Sequence, residues 1–286
     1  MQNSTNNNNF VSQLIDVEKV FHEKSPRFAR KIPRFIYNYL NKVVHQDELN
    51  EAIRNFGDLT GLEFVRAILE FMGVKINQQG IENIPVDGGL IIASNHPLGG
   101  LDGLALMKVA GEVRKDIVFP VNDLLMNVPN LKPLFIPINK HGSNSQNLII
   151  MNETFASEKA ILYFPAGLCS RKQHGQVIDM EWKKTFITKA RTFKRDIIPV
   201  HINGRNSNWF YNLAYWRKRL GIKANIEMLY LVDEMFKQNN KSINIIFGKP
   251  ISWTVFDDRF SDIVWAQKVK QHAYSLENNI STLFNV

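Results

Sequence analysis

From residue 88 onward this 286-residue chain alternates short apolar, β-branched runs with longer stretches of helical period. The runs at 90–94, 117–121, 134–138, 160–164, 197–202 and 243–247 read as strands. Those at 101–113, 145–157, 181–193, 209–220 and 261–283 read as helices. Strands separated by helices argue for an α/β fold with a mostly parallel central sheet flanked by helices. Ligands of such sheets bind where loops leave the carboxyl ends of the strands. Ahead of this region the pattern is helical. Val11, Leu14, Ile15, Val20 and Phe21 make one apolar stripe, and Phe35, Ile36, Tyr39, Leu40 and Val43 another. A further helix is expected over 62–72, ended by Gly73. The expected organisation is a polar, Asn-rich disordered tail at 1–9, an N-terminal helical extension at 10–75 that is a candidate for membrane docking, and an α/β domain at 76–286.

Two segments carry chemistry. In the first, the run Leu90-Ile91-Ile92-Ala93 leads into Ser94-Asn95-His96-Pro97-Leu98-Gly99-Gly100-Leu101-Asp102. A histidine at the end of a buried strand, with a carboxylate a few residues on, is a general base beside the group that could orient it. The glycines allow the loop to fold back so that both side chains reach one spot. The bland alternative is a loop histidine and an acidic residue in a first helical turn. No serine sits in a G-x-S-x-G elbow, so the base is expected to activate a hydroxyl on the substrate. In the second segment, Phe164-Pro165-Ala166-Gly167-Leu168-Cys169-Ser170-Arg171-Lys172, an apolar strand runs into a Pro/Gly turn followed by two cations. That suits an anion or oxyanion cradle, and equally an ordinary strand-ending turn. Cys169 is a weak candidate nucleophile because no base is evident beside it. His141, His174 and His201 lack metal-ligand spacing, so no metal site is expected.

The formal net charge of +8 points to an anionic partner. The cations are clustered. Residues 24–46 hold six Lys or Arg and no acid, interleaved with Phe28, Phe35, Tyr37 and Tyr39. Residues 204–223 hold Arg205, Arg217, Lys218, Arg219 and Lys223, again without an acid, among Trp209, Phe210, Tyr211, Tyr215 and Trp216. Basic side chains beside aromatics suit an interfacial segment on an anionic membrane surface. The alternative is a solvated basic helix with its aromatics in the core. No nucleic-acid motif accompanies the charge, and no G-x-G-x-x-G or P-loop is present, so neither nucleic acid nor nucleotide is expected as a partner. A single cysteine, no secretory signal and no apolar stretch approaching 18 residues suggest a cytoplasmic chain, peripheral on the inner face of the membrane.

Together the two segments resemble the glycerolipid, lysophosphatidate-type O-acyltransferase family. Its Asn-His-x4-Asp block is matched by Asn95, His96 and Asp102, and its Phe-Pro-Glu-Gly-Thr-Arg-Ser-Arg block at Phe164, Pro165, Gly167, Ser170 and Arg171. Ile138-Asn139-Lys140 and Ile198-Pro199-Val200 resemble the remaining two blocks, in the family's order. The resemblance implies an acyltransferase fold that needs no cofactor. It also implies an acyl-carrier-protein or coenzyme A thioester as donor and a lyso-lipid as acceptor. His96 and Asp102 would be catalytic, and Asn95, Lys140, Phe164, Pro165, Gly167, Ser170 and Arg171 would bind substrate. The departures bear on the acceptor. Five residues separate His96 from Asp102, Ala166 replaces a glutamate, Leu168 and Cys169 replace a threonine and an arginine, and Lys140 replaces an arginine. An ammonium cannot make the bidentate phosphate contact of a guanidinium. The pattern is similar to the bacterial branch that carries the hemolysin label, related to enzymes that O-acylate glycine or ornithine lipids. Acylation of lysophosphatidate is the alternative, and a non-catalytic lipid-binding protein of the same fold is another.

Overall fold

A computed structural model describes residues 15–24, 26–121, 125–137, 145–173 and 175–285. Nine strands occur among them: β1 (Lys75–Gln79), β2 (Leu90–Ser94), β3 (Phe119–Val121), β4 (Phe135–Pro137), β5 (Ala160–Tyr163), β6 (Arg171–Gln173), β7 (Gln176–Ile178), β8 (Asp196–Asn203) and β9 (Ser242–Phe247). The helices are α1 (Val17–Lys24), α2 (Pro26–Ala29), α3 (Arg34–Val43), α4 (Gln46–Phe56), α5 (Gly61–Phe71), α6 (Gly100–Val113), α7 (Ser145–Ala156), α8 (Thr185–Phe193), α9 (Asn208–Arg219), α10 (Leu231–Phe236) and α11 (Asp262–Ser275). The central sheet has the order β1-β9-β8-β2-β5. All its neighbouring pairs are parallel except β8 with β9.

Every residue of β2 is buried, as expected of a strand covered on both faces. Its side chains alternate between two cores. Leu90 and Ile92 pack with Phe64, Val65 and Leu69 of α5 and with Leu101, Ala105 and Leu106 of α6. Ile91 and Ala93 pack with Phe155 of α7, Phe186 and Ile187 of α8, and Trp265 and Val269 of α11. Helix α5, N-terminal to the sheet in sequence, therefore shares the sheet's own core. It lies so close to α6 that a Cβ on Gly111 would come within 2.6 Å of Leu62.

Several elements differ from the sequence reading. The runs at 117–121 and 134–138 do form strands, shorter than expected. They pair with each other as the parallel two-stranded sheet β3-β4, joined to β5 by the single bridge Val118–Ile161. The expected helix at 181–193 starts at Thr185, because the Lys183 amide already donates to the Pro165 carbonyl at 3.1 Å. The helix expected over 261–283 ends at Ser275. Beyond it the chain turns back through Asn278 and Asn279, and Phe284 packs on His272 at 5.4 Å. Strand β1 and the β6-β7 hairpin have no counterpart in the expected strands. The tail at 1–9 lies outside the described residues.

At the end of the sheet where β2 and β5 begin, Arg195 is 1% exposed. Its guanidinium donates to the carbonyls of Phe155 (2.8 Å), Leu90 (3.1 Å), Lys159 (2.7 Å), Thr154 and Ser157. Burial lowers its pKa to about 10, still well above neutrality, so it remains a cation. A positive charge at the carboxyl end of α7 also meets the negative pole of that helix. Arg195→Met should leave several buried carbonyls without donors and lower stability by roughly 2–4 kcal/mol. Urea denaturation measures this, with a fall in midpoint at unchanged slope as the expected result.

Candidate active site

The site is built from the point where β2 runs out of ladder partners. Its last paired residue is Ser94, opposite Val200 of β8. Asn95, buried, then takes over with its side chain. Its Nδ2 donates to the Ile202 carbonyl at 2.8 Å and its Oδ1 accepts from the Ile202 amide at 2.6 Å. Both amide ends of the side chain are thus bonded to the β8 backbone, where Asn95 fixes the loop's departure.

The loop turns at Gly99, whose φ of 79° and ψ of −129° suit glycine alone. That turn places Asp102, fully buried in the first turn of α6, beneath the loop it follows. Asp102 Oδ2 accepts from the amides of Leu98 (2.7 Å) and Gly99 (3.0 Å) and lies 3.0 Å from Nδ1 of His96. Burial pushes the Asp102 carboxyl above its ordinary range, while the bond and charge of His96 and the Leu98 amide pull it back. The five-residue spacing is therefore no obstacle to a His–Asp pair. The His96 side chain is 18% exposed, and its Nε2 has no hydrogen-bond partner among the described residues. Phe164 stacks on the imidazole at 4.2 Å and 16°, and Phe119 meets Phe164 edge-on at 5.2 Å, so the ring plane is fixed as well.

Phe164 begins the second segment. After buried Pro165 and Ala166 comes Gly167, with a φ of 67° and an amide that closes a turn on the Phe164 carbonyl at 3.0 Å. The Gly167 amide is therefore occupied, while that of Leu168 has no acceptor among the described residues. Ser170 is 1% exposed and faces inward. Its amide donates to the His96 carbonyl at 2.7 Å and its hydroxyl to Asp179 at 2.6 Å. The Arg171 guanidinium turns away from the dyad. It sits over the Phe210 ring at 5.1 Å, donates to the Cys169 carbonyl at 2.8 Å, and pairs at 3.1 Å with Glu227, which also pairs with Arg217. The structure thus brings His96, Asp102 and Phe164 together, places Asn95 and Ser170 behind them as supports, and commits Arg171 to a buried ion pair. Lys140, with the rest of the 138–140 block, His141 and His174, lies outside the described residues. Among the described residues no cluster of His, Cys, Asp and Glu could hold a metal ion. His201 is buried in β8, 3.6 Å from Glu277, with its pKa lowered by burial.

Sequence reasoning missed Phe119, Asp179 and Glu227. Asp179 follows the unremarkable run Gln176-Val177-Ile178, and Glu227 lies in a short 3-10 turn, so no local pattern marks either.

The basic aromatic segments divide between core and surface. Tyr37, Phe210 and Tyr211 are buried, whereas Phe35, Tyr39, Trp209, Tyr215 and Trp216 are exposed. The side chain of Phe28 lies outside the described residues. The two segments meet at Tyr230, whose hydroxyl is 2.8 Å from that of Tyr39 and whose ring contacts Trp209 at 4.2 Å. No helix among the described residues is long and apolar enough to cross a membrane.

Residues 19–282 match the family model described as Acyltransferase. A lyso-glycine lipid O-acyltransferase of Bacteroides thetaiotaomicron is 49% identical over 265 residues, 92% of this chain and 97% of that one. The lyso-glycine lipid O-acyltransferase of Phocaeicola vulgatus is 48% identical over 265 residues, 92% and 95% of the two chains. Among solved structures, the 1-acyl-sn-glycerophosphate (LPA) acyltransferase PlsC of Thermotoga maritima aligns with a TM-score of 0.46 at 14% identity, covering 87% of this chain and 95% of that one.

Cys169 is 2% exposed, and burial raises its thiol pKa against the pull of Arg171. A buried thiol that resists ionisation is a poor nucleophile. Cys169→Ala should keep acyl transfer within about twofold of wild type, measured as initial rates on purified protein.

Proposed function

This chain belongs to the acyltransferase family, and we propose that it moves a fatty acyl group from a phosphopantetheine thioester to the free hydroxyl of a lyso-glycine lipid. The carrying observation is the buried Asp102 holding Nδ1 of His96 while Nε2 has no partner among the described residues. In this reading Nε2 takes the proton of the acceptor hydroxyl as its oxygen attacks the thioester carbonyl. The tetrahedral intermediate collapses with loss of the C–S bond, and the departing thiolate recovers the proton from His96. Asp102 keeps the imidazole in the tautomer with hydrogen on Nδ1 and stabilises the imidazolium. The Leu168 amide is our candidate donor to the developing oxyanion. Pro165, Ala166 and Gly167 form the turn that presents it.

Two observations favour a glycine lipid over a phosphate-bearing acceptor. Its polar end is a carboxylate, with one negative charge where a phosphate monoester carries nearly two, so it asks for fewer free cations. The Arg171 guanidinium is held by buried Glu227. The relatives that share nearly half of its residues act, by name, on lyso-glycine lipid. The donor is proposed to be acyl-carrier protein or coenzyme A, which present the same thioester chemistry. Phe35, Tyr39, Trp209, Tyr215 and Trp216, exposed beside Arg34, Arg217, Lys218 and Arg219, are proposed to rest on the anionic inner face of the cytoplasmic membrane.

The first test offers lyso-glycine lipid, lyso-ornithine lipid and lysophosphatidate to purified protein, with each thioester donor separately. Transfer to lyso-glycine lipid, lost by roughly 10²–10⁴ in His96→Ala, is the expected outcome. Transfer to lysophosphatidate alone would overturn the acceptor, and an unimpaired His96→Ala would overturn the base. The second test is flotation with vesicles. Each cation near an anionic surface contributes about 1 kcal/mol, so binding should be reversible and weaken with salt. Trp209→Ala/Trp216→Ala should reduce co-flotation, and wild-type protein that never floats would remove the membrane face.

A further inference from the structure

The peptide groups of His96 lie past the end of the β2 ladder, and the side chain of Asn95 is taken up by the Ile202 backbone. What holds the His96 backbone is a carboxylate from elsewhere in the chain. Asp179, fully buried just after β7, accepts from the His96 amide at 3.2 Å and from the Ser170 hydroxyl at 2.6 Å with Oδ1. Its Oδ2 accepts from Nε1 of Trp182 at 2.9 Å. The Ser170 amide then closes the circuit on the His96 carbonyl at 2.7 Å. Both backbone polar groups of His96 are thereby tied to one short stretch, 170–179.

Asp179 is anchored in turn. Its amide donates to the Tyr274 hydroxyl at 2.9 Å, and its carbonyl accepts from Nζ of Lys270 at 2.6 Å, both on α11. Among the described residues no cation pairs with its carboxylate. A buried carboxylate without a direct ion pair is costly to desolvate and persists only where several donors converge on it. Hydrogen bonds to an ionised acceptor are shorter and stronger than neutral ones, which makes such a group a stiff anchor. We infer that Asp179 is a positioning residue for the acyl transfer, clamping the backbone of His96 so that the imidazole stays aligned with both Asp102 and the acceptor hydroxyl. The inference rests on His96 being the base. It also accounts for Ser170, whose hydroxyl donates into this clamp.

The test compares kcat and acceptor KM for wild type, Asp179→Asn and His96→Ala and the double variant, with thermal unfolding recorded for each. Asparagine keeps an acceptor for His96 but turns an amide N–H toward Trp182. Misplacement of a reacting group by about 1 Å costs on the order of 10²-fold in rate. Asp179→Asn should therefore lose about tenfold or more in kcat with acceptor KM within about twofold, and should cost nothing further in the His96→Ala background. Folded Asp179→Asn with wild-type kcat would overturn the inference. So would an equal proportional loss in both backgrounds, which is the mark of a purely structural group. An active His96→Ala would instead show that the base itself is wrongly placed, and the inference would fall with it. Should Asp179→Asn not fold, Trp182→Phe removes one donor and is read by the same two criteria, with about a threefold fall in kcat expected.

Discussion

One carboxylate oxygen, Oδ2 of Asp102, sets the geometry on which the site depends. It gathers the Leu98 amide, the Gly99 amide and Nδ1 of His96 within 3.0 Å. The first two bonds shape the turn that ends β2 and begins α6, and the third orients the imidazole of His96. The same interaction therefore folds the loop and sets the ring's orientation. Its strength comes from burial, because a carboxylate removed from water binds its donors in a low dielectric. Burial also raises the carboxyl's own affinity for a proton, and the donors oppose that. Removing a donor would weaken the turn and the ionised state together.

The sheet makes that arrangement rigid. Side chains alternate along β2 into two separate cores, so the strand bearing the site is gripped from above and below. A displacement of the His96 loop would have to disturb Asn95, whose side chain is doubly bonded to Ile202, or the 170–179 stretch behind it. Catalytic groups built on such strand ends hold tolerances that a free surface loop cannot.

Much of this was legible in the chain. The dyad could be read because its partners lie six residues apart and a Gly-Gly pair signals the turn between them. The buried strands could be read because continuous apolar β-branched runs have few other uses. Strand β1 could not, since Lys75, Asn77, Gln78 and Gln79 face solvent at a sheet edge and carry no apolar signal. Nor could the assignment of 119–121 and 135–137 to a separate pair, which depends on neighbours rather than on composition. Asp179 was illegible for a related reason. Its donors sit 83 residues before it, 9 before it and 3 after it, and only the fold makes them one group.

The setting of Arg171 shows how distant residues decide which partner a motif side chain meets. A guanidinium in this segment, left free, would be suited to a phosphate or a carboxylate. Here Glu227 is fully buried and can exist there only with its cations, so Arg171 and Arg217 are drawn to it. Breaking such a pair from the carboxylate side would leave a buried guanidinium uncompensated, a cost of about 3–5 kcal/mol. An anionic ligand that recruited Arg171 would have to draw it from Glu227, which would keep only Arg217. A carboxylate carries one negative charge where a phosphate monoester carries nearly two, so it depends less on a freed guanidinium. The ion pair therefore ties β6 to α9 through the Ile226–Tyr230 turn, and steadies the stretch whose Ser170 amide holds the His96 carbonyl.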